Sequence, residues 1–589
     1  MTGVSGKPGS PANPGLLVVV DLHAHGLPSR ILRGMLRSRV FDRAGIAGAP
    51  WLVLAPPGDG GDRSWCRGSE VLEPSGLLDP HALQSLTTEV IEISNALEQA
   101  FASADSGLHA GGINRDFIRM WVHELMYREH AISAGCQRVG AGQVRMLSSH
   151  ASRSRWLAAG LAERGLSARG GGLPDWMWQR RSRRDGVPAW PAVELPRAGL
   201  LMVAESVPMA QSLAAVAEAL PHSIRAEALA LTYLPSAPKV SADSIRQINL
   251  AATARAASPA GSSGQALIGV PGEGALPPPG LPGSVRSSFE ALRARLIAEG
   301  LPGQQAWARH VLGILRKVRP RLVVVGNDRC WTGQVYVLLA GLEGIETVVV
   351  QDGIAAQNDP TWKYATADHV LAAGTLWPRL LSGAPGPTRS ITVVGQPRYD
   401  GMARYFRARR EDASRPGPAG HRVLLVLQDI HAPEYVRTVL EEILGLESVE
   451  VMVRAHPAFR PAGLDRLTGP RVRFSPGGGV VDDLAWADLV VTEYSTVAVE
   501  ALALGLPVLS VTLSGRPPLL DFTVPGQAEG VGDRSAIGPA LHRLLGSEPA
   551  RGCPPERQAI LDELVGPLDD RSASRVADIV GHLLERGAA

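Results

Sequence analysis

The sequence is poor in cysteine and in long apolar runs. Its 589 residues include four cysteines, and no two of them form a Cys-x-x-Cys pair. A disulfide framework and a zinc ribbon are therefore not expected. No run reaches the roughly 18 apolar residues of a membrane-spanning helix. The longest candidate, Val497 to Leu513, is interrupted by Glu500 and by Pro507.

The chain also lacks an excess of either charge and has almost no lysine. Lys and Arg total 59, Asp and Glu total 57, and the net charge is +2. Such a balance argues against a general nucleic-acid coat. Only four of the basic residues are lysines, and this arginine-rich composition is typical of a GC-rich bacterial genome. A hydrophobic fraction of 45% with 20% charged residues argues against wholesale disorder.

The N-terminal segment carries no recognisable export signal. The first apolar run, Leu16 to Val20, is too short for the core of a signal peptide. We therefore expect a cytoplasmic protein. One segment, Trp176–Arg184, combines two tryptophans with four arginines and is a candidate for peripheral contact with an anionic membrane surface.

Short β-branched runs alternate with longer helical patterns along the whole chain, which predicts an α/β fold built from βαβ units. Continuous apolar strands are typical of parallel sheets covered by helices on both faces. The predicted strands are 16–20, 51–55, 144–147, 167–169, 199–204, 321–326, 346–351, 390–395, 422–427, 450–454, 489–492 and 508–512. Helical periodicity covers 152–164, 287–318, 435–444 and 497–504.

The length predicts several domains, because single cores stop growing beyond about 250–300 residues. Three blocks are expected. Residues 1–195 form an N-terminal α/β block of unknown role, residues 196–405 form a second block, and residues 420–589 form a third.

The strongest functional pattern lies in the third block. A predicted strand leads into Ser495 and Thr496, and a helix carrying Glu500 follows. Free backbone N–H groups at such a helix start, beside the carboxyl end of a parallel sheet, suit a phosphate or diphosphate. Glu500, about one turn further on, could accept hydrogen bonds from a ribose. His456 and Pro457 follow another strand, which ends in Arg454.

A second pattern lies in the middle block. The strand ending at Val350 is followed by Gln351, Asp352 and Gly353. An acid at a strand's carboxyl end, followed by a glycine that permits close backbone approach, is typical of open-sheet active sites. Asn327 and Arg329 follow the preceding strand and should line the same cleft.

Residues of about 320–515 resemble bacterial GT-B transferases of surface-polysaccharide assembly. The matching pieces are IETVVVQDG, ADHVLAAG, ITVVGQPRYD, RAHP and ADLVVTEYSTVAVEALALGLPVL. The relatives indicated are bacterial sialyltransferases and polysialyltransferases, together with CDP-glycerol glycerophosphotransferases. The resemblance implies two Rossmann-like lobes. Residues 196–405 would be the acceptor-side lobe, and residues 420–589 would bind the nucleotide donor.

The resemblance also implies roles for individual residues. Asp352 would be the general base, although Gln351 replaces the first acid of the family's pattern. His456 and Pro457 would line the nucleotide, with Ser495 and Thr496 on its phosphate. His456, helix N–H groups and Arg454 would stabilise charge on the leaving nucleotide. The resemblance implies no cofactor and no essential metal.

The expected reaction is transfer of a sugar or polyol phosphate from a CMP-, CDP- or UDP-activated donor to a cell-surface glycan or lipid-linked glycan, as in capsule polysaccharide biosynthesis. Two alternatives stay open: a UDP-sugar 2-epimerase of the same fold, and a degenerate module that binds glycan or nucleotide without turnover. No nucleic-acid partner is expected. The pair His23 and His25 resembles an amidohydrolase metal motif, but no further ligand set accompanies it.

Overall fold

A computed structural model describes most of the chain. The described residues are 16–21, 50–54, 71–72, 77, separate positions between 86 and 100, 115–148, 151–172, 194–233, 245–250, 276–296, 301–329, 331–356, 362, 365–382, 388–412, 420–428, 433–456, 469–493, 495–513, 524, 526–546 and 554–586.

Three groups of strands and helices follow one another along the chain. The first contains β1 (Leu16–Asp21), β2 (Trp51–Leu54), β3 (Val71–Leu72), α1 (Arg115–Val139), β4 (Gln143–Ser148), α2 (Ala151–Glu163) and β5 (Ser167–Gly172). The second contains β6 (Leu200–Ala204), α3 (Val207–Ala219), α4 (His222–Ala226), β7 (Ala228–Thr232), β8 (Arg246–Asn249), α5 (Gly283–Arg295), α6 (Leu301–Val318), β9 (Leu322–Val325), α7 (Trp331–Leu342), β10 (Glu346–Val350), β11 (His369–Ala372), α8 (Leu376–Leu381), β12 (Ser390–Val393), a 3₁₀ turn (Pro397–Tyr399) and α9 (Met402–Asp412). The third contains β13 (His421–Val426), α10 (Pro433–Leu444), β14 (Val449–Arg454), β15 (Val472–Phe474), α11 (Val480–Trp486), β16 (Leu489–Thr492), α12 (Val497–Ala503), β17 (Val508–Val511), β18 (Ala528–Val531), α13 (Arg534–Gly546), α14 (Pro555–Leu564) and α15 (Ser572–Arg586).

The strands form three sheets, and every ladder between them is parallel. Sheet 1 has the order β3-β2-β1-β4-β5, sheet 2 the order β12-β11-β10-β9-β6-β7-β8, and sheet 3 the order β15-β14-β13-β16-β17-β18. Counted within its own sheet, sheet 1 has the order 3-2-1-4-5, sheet 2 the order 3-2-1-4-5-6-7 and sheet 3 the order 3-2-1-4-5-6, so that the first and fourth strands are neighbours in each, as in a Rossmann fold. The predicted fold class, two Rossmann-like lobes of GT-B type with an additional N-terminal α/β block, is confirmed.

The strands are buried because their side chains are apolar on both faces. In sheet 2, the described side chains of β6, β7, β9 and β11 are all buried. This is the pattern expected of a parallel sheet that carries a helical layer on each side. Helix α15 contributes to one of those layers, since Val576, Val580 and Leu584 belong to the same core as β6 and α3. The last helix of the chain therefore covers the second sheet.

The chain separates into two compact units by its internal contacts. Unit 1 contains sheet 1 together with α5, and unit 2 contains sheets 2 and 3. Helix α5 lies in sequence between strands of sheet 2 but packs against α1 and α2. The predicted boundaries near residues 195 and 405–420 stay a prediction.

A buried polar contact holds α5 in unit 1. Ser284 Oγ donates a hydrogen bond of 2.5 Å to Glu129 on α1, and Glu129 is only 3% exposed. The N–H of Gly283 donates to Glu163 Oε2 at 2.7 Å. Gly283 is needed there because a Cβ would lie 2.8 Å from the carbonyl oxygen of Ala159.

The structure differs from the sequence prediction in one helical segment and in several strands. The single helical stretch predicted over 287–318 is two helices, α5 and α6. Six strands were not predicted as such: β3, β7, β8, β11, β15 and β18. Most of these lie toward the margins of their sheets, where strands are short and carry a weaker apolar signal.

Candidate active site

The carboxyl ends of β6, β9 and β10 place three polar residues at one edge of sheet 2. Ser206 comes two residues after β6, Asn327 two residues after β9, and Asp352 two residues after β10. These strands are consecutive neighbours, and the direction of winding reverses between β6 and β9. Ligands of open α/β sheets bind in the crevice at such a switch point.

Asp352 is the central acid of this edge. Its Oδ2 accepts a hydrogen bond of 3.2 Å from Ser206 Oγ, which also caps α3 by accepting from the N–H of Met209 at 3.2 Å. Burial raises the pKa of Asp352, and the nearby positive charges of Arg398 and Arg329 oppose the increase without cancelling it. A carboxylate with a raised pKa is a stronger base than an exposed one, which suits proton abstraction.

Gln351 and Gly353 form the turn that presents Asp352. The side chain of Gln351 is 2% exposed, accepts from the N–H of Ala373 at 2.8 Å and donates to the carbonyl of Gly353 at 3.1 Å. Gly353 has φ +77°, a backbone conformation that favours glycine. The residue that replaces the family's first acid is thus a buried brace of the turn.

The loop after β9 supplies Arg329, which contacts the same turn. Its Nη2 donates to the carbonyl of Asp352 at 3.3 Å, and its guanidinium lies 3.4 Å from the ring centre of Trp362. Asn327 shapes this loop by accepting from the N–H of Arg329 at 2.7 Å. The neighbouring Asp328 is buried and accepts from the N–H of Ala367 at 3.0 Å. Arg329 therefore lies beside Asp352, whereas Asp328 braces the loop.

The carboxyl edge of sheet 3 carries the predicted nucleotide-binding residues. His456 follows β14, and Ser495 and Thr496 follow β16, on either side of the first strand β13. Two strand spacings, about 10 Å, therefore separate the strand ends that carry these positions. Ser495 Oγ accepts from the N–H of Val497 at 3.2 Å, and Thr496 is the N-cap of α12 without a side-chain capping bond. Pro457 lies outside the described residues.

Arg454, the last residue of β14, donates hydrogen bonds to α11 and to the turn before it. Its Nη1 donates to Asp483 Oδ2, and its Nη2 donates to the carbonyl of Gly478 at 3.1 Å. Asp483 also accepts from Ser475 Oγ at 2.7 Å. Arg454 therefore braces the glycine-rich turn that precedes α11. Its positive charge also opposes the increase in the pKa of Glu500 that burial causes.

Glu500 connects sheet 3 with the turn that follows β12. Its side chain is 7% exposed, and its Oε1 lies 3.6 Å from Arg398 Nη2 and accepts from Tyr399 Oη at 3.2 Å. Its other oxygen, Oε2, is buried without a hydrogen-bond partner. Burial raises the pKa of Glu500, while Arg398, Tyr399 and Arg454 act to lower it. An unpaired buried acceptor of this kind is suited to a ligand hydroxyl.

Asp352 and Glu500 thus both interact electrostatically with Arg398, and Arg329 lies beside Asp352. The structure places His456, Ser495 and Thr496 at the edge of sheet 3 that the sequence predicted. Sequence reasoning overlooked Ser206, Tyr399 and Arg398 as site residues. A signal existed for Ser206, because a serine after a strand with proline two residues later marks a helix N-cap.

No helix among the described residues has the length and apolar content to cross a membrane. Among the same residues, no three His, Cys, Asp or Glu side chains are grouped so as to hold a metal ion. His23, His25 and Trp176–Arg184 lie outside the part of the chain that the structure describes.

Comparison with known proteins gives structural likenesses only. No family model matches the sequence, and no curated protein matches it. The structure is similar to UDP-GlcNAc 2-epimerase from Methanocaldococcus jannaschii, at 15% identity over 65% of this chain and 99% of that chain, with a TM-score of 0.41. It is similar to sucrose-phosphate synthase from Thermosynechococcus elongatus, at 15% identity over 66% and 99% of the two chains, with a TM-score of 0.38. It is also similar to the wall teichoic acid polymerase TagF, at 11% identity over 66% and 90%, with a TM-score of 0.39. Likeness at this level concerns the fold and not the chemistry.

Proposed function

We propose that unit 2 is a GT-B transferase that moves a sugar or polyol phosphate from a CMP-, CDP- or UDP-activated donor to a hydroxyl of a cell-surface glycan. One observation carries the proposal. A buried base, Asp352, stands at the switch point of sheet 2 and is linked through Arg398 to Glu500, which lies on the helix that follows the fourth strand of sheet 3. The proposed base and the proposed ribose acceptor therefore interact with the same arginine.

The proposed chemistry needs one proton transfer and one displacement. Asp352 takes the proton of the acceptor hydroxyl, and that oxygen attacks the anomeric carbon of the sugar or the phosphorus of the polyol phosphate. The bond to the nucleotide breaks, and its electron pair leaves with the nucleotide phosphate. Ser206, which already donates to Asp352, fixes the orientation of the carboxyl group.

The donor would occupy the edge of sheet 3. Ser495, Thr496 and the N–H groups beside them would hold its phosphate, and His456 would stabilise the charge that develops on leaving. Glu500 Oε2 would accept from the ribose hydroxyls, since it is a buried acceptor without a protein partner.

The decisive experiment incubates the purified protein with CMP-, CDP- and UDP-activated donors, with and without glycan acceptor, and measures free nucleotide. A transferase releases nucleotide in proportion to acceptor. Formation of the 2-epimer of a UDP-sugar without acceptor would instead establish the epimerase. Nucleotide binding without any product would establish a degenerate module.

Substitution of Asp352 tests its proposed role as the general base. Asp352→Asn is expected to reduce turnover by roughly 10²–10⁴-fold, the usual contribution of a general base. Glu343→Gln is the matched control, because Glu343 is exposed and pairs with Arg316 at 2.8 Å on the outer side of α7. Wild-type turnover in Asp352→Asn would remove Asp352 from the mechanism.

A further inference from the structure

Arg398 lies on the 3₁₀ turn after β12 and is almost fully enclosed. Its side chain is 10% exposed. Its Nη2 donates to Tyr399 Oη at 3.2 Å and lies 3.6 Å from Glu500 Oε1. Its Nε is buried and has no hydrogen-bond partner. A guanidinium enclosed in this way is stable only when negative charge faces it.

The backbone that carries Arg398 is held by the last helix. Asp400 accepts from the N–H groups of Ser572 and Ala573 at 3.2 and 2.7 Å, and Arg575 Nε donates to the carbonyl of Val394 at 2.8 Å. Gly395 has φ +86°, and a Cβ there would lie 2.3 Å from Ser572 Oγ. These contacts hold the turn against α15, so the backbone position of Arg398 is fixed.

Two carboxyl groups from different sheets face this one cation. Asp352 comes from the carboxyl edge of sheet 2, and Glu500 comes from α12 beside sheet 3. Both interact electrostatically with Arg398. One positive charge thus serves the proposed base and the proposed ribose acceptor together.

We propose that Arg398 is a positioning residue of the transferase site, which orients the Glu500 carboxylate for the donor and presents its positive charge to Asp352. The inference rests on the proposed function for the roles of Asp352 and Glu500. Arg398 makes no contact with the reacting atoms in this scheme. It acts through the two acids.

The charged groups around Asp352 and Glu500 determine how far the removal of Arg398 would shift the protonation of these two acids. Asp352 faces Arg398 and Arg329 and accepts from Ser206. Glu500 faces Arg398, Tyr399 and Arg454. Burial raises the pKa of each carboxyl, and the positive charge of Arg398 is the main effect opposing that increase in both. Without Arg398, both acids therefore bind protons at higher pH.

The kinetic test compares Arg398→Gln, Arg398→Lys and the control Arg404→Gln. Arg404 is 76% exposed and pairs with Asp570 at 3.4 Å, outside the cluster. In Arg398→Gln, the acid limb of the kcat/KM profile should move to higher pH by about one unit, the low end of the effect of an opposite charge on a carboxyl. Arg398→Lys should restore the limb because it restores the charge. An unchanged limb in Arg398→Gln would overturn the inference.

A second measurement does not depend on activity, so it separates failure of this inference from failure of the proposed function. The Tm deficit of Arg398→Gln against wild type should be larger at pH 8 than at pH 5, because protonated carboxyls no longer need the cation. An equal Tm deficit at both pH values would show that Arg398 stabilises the protein by packing alone and would contradict the inference. Should Arg398→Gln not fold, the double variant Arg398→Gln/Glu500→Gln should recover folding, and its failure to do so would contradict the coupling.

Discussion

Ser206 Oγ donates a hydrogen bond of 3.2 Å to Asp352 Oδ2, although 146 residues separate the two in sequence. The same oxygen caps helix α3. One hydroxyl thus joins the start of a helix to the proposed base, so that the first and fifth strands of sheet 2 share a polar contact at their carboxyl ends. This contact predicts two separable effects of mutation.

Ser206→Ala should lower the stability of the protein by about 1 kcal/mol through loss of the N-cap. It should also move the acid limb of the activity profile to higher pH, because the hydrogen bond from Ser206 lowers the pKa of Asp352. Denaturant unfolding and a pH–rate profile measure the two effects. Ser206→Thr, which keeps the hydroxyl, is the control, and a Ser206→Ala limb identical to wild type would show that the contact has no influence on the base.

Asp352→Asn should make the protein more stable near pH 8, even while it removes activity. A carboxyl whose pKa is raised on folding contributes stability below its unfolded pKa and loses that contribution as pH rises through the folded pKa. The asparagine stays neutral throughout, so its advantage over wild type should shrink as the pH falls toward 4. Thermal melting of both proteins from pH 4 to 8 tests the sign, and an advantage that grows on acidification would contradict it.

Gln351→Glu should destabilise the protein and should not increase activity. The amide of Gln351 donates to the carbonyl of Gly353, and a carboxylate at that position would face the carbonyl oxygen without a proton to share. An unsatisfied or repelled buried group costs about 1–3 kcal/mol, and more when it is charged. Gln351→Met is a useful comparison because it removes the polar contacts without adding charge. Higher turnover in Gln351→Glu would mean that the acid of the family's pattern acts directly on substrate.

Glu500→Gln should weaken nucleotide binding by about tenfold, the lower range expected for loss of a charged hydrogen bond. The amide still accepts from Tyr399 but presents either a donor or a weaker acceptor to the ribose. Calorimetric titration with CMP, CDP and UDP measures the change. Glu529→Gln is the control, since Glu529 lies on β18 of the same sheet and pairs with Arg543. Equal affinities for Glu500→Gln and wild type would remove Glu500 from the nucleotide pocket.

Sequence patterns were sufficient for the central strands of sheets 2 and 3 because those strands are continuous apolar runs. They were insufficient for β7, where ALALT also suits a helix, since leucine and alanine have high helix propensity. They placed Asp352 at a strand end because an acid followed by glycine is a local signal. They could not place Arg398 beside Glu500, because that contact joins residues about 100 positions apart through tertiary packing alone.

Gln351 is a second residue whose role could not be read from the sequence. A motif records residue types and not what they contact, so the replacement of an acid by Gln351 could not be interpreted from the sequence. The structure shows both ends of its amide occupied by backbone groups. The departure from the family's pattern is therefore accommodated by the turn, and Asp352 keeps its position.

The packing of α15 on sheet 2 has a consequence for synthesis on the ribosome. The core around β6 and α3 is completed by Val576, Val580 and Leu584, which are translated after all the strands of sheet 3. Sheet 1 likewise needs α5, which follows its strands in sequence, whereas the described core of sheet 3 comes from residues 423–545. Sheet 3 can therefore finish folding before sheet 2, although it is made later. Loss of α15 would leave the sheet bearing Asp352 with an uncovered apolar face, and nascent chains would need protection from aggregation until α15 has been made.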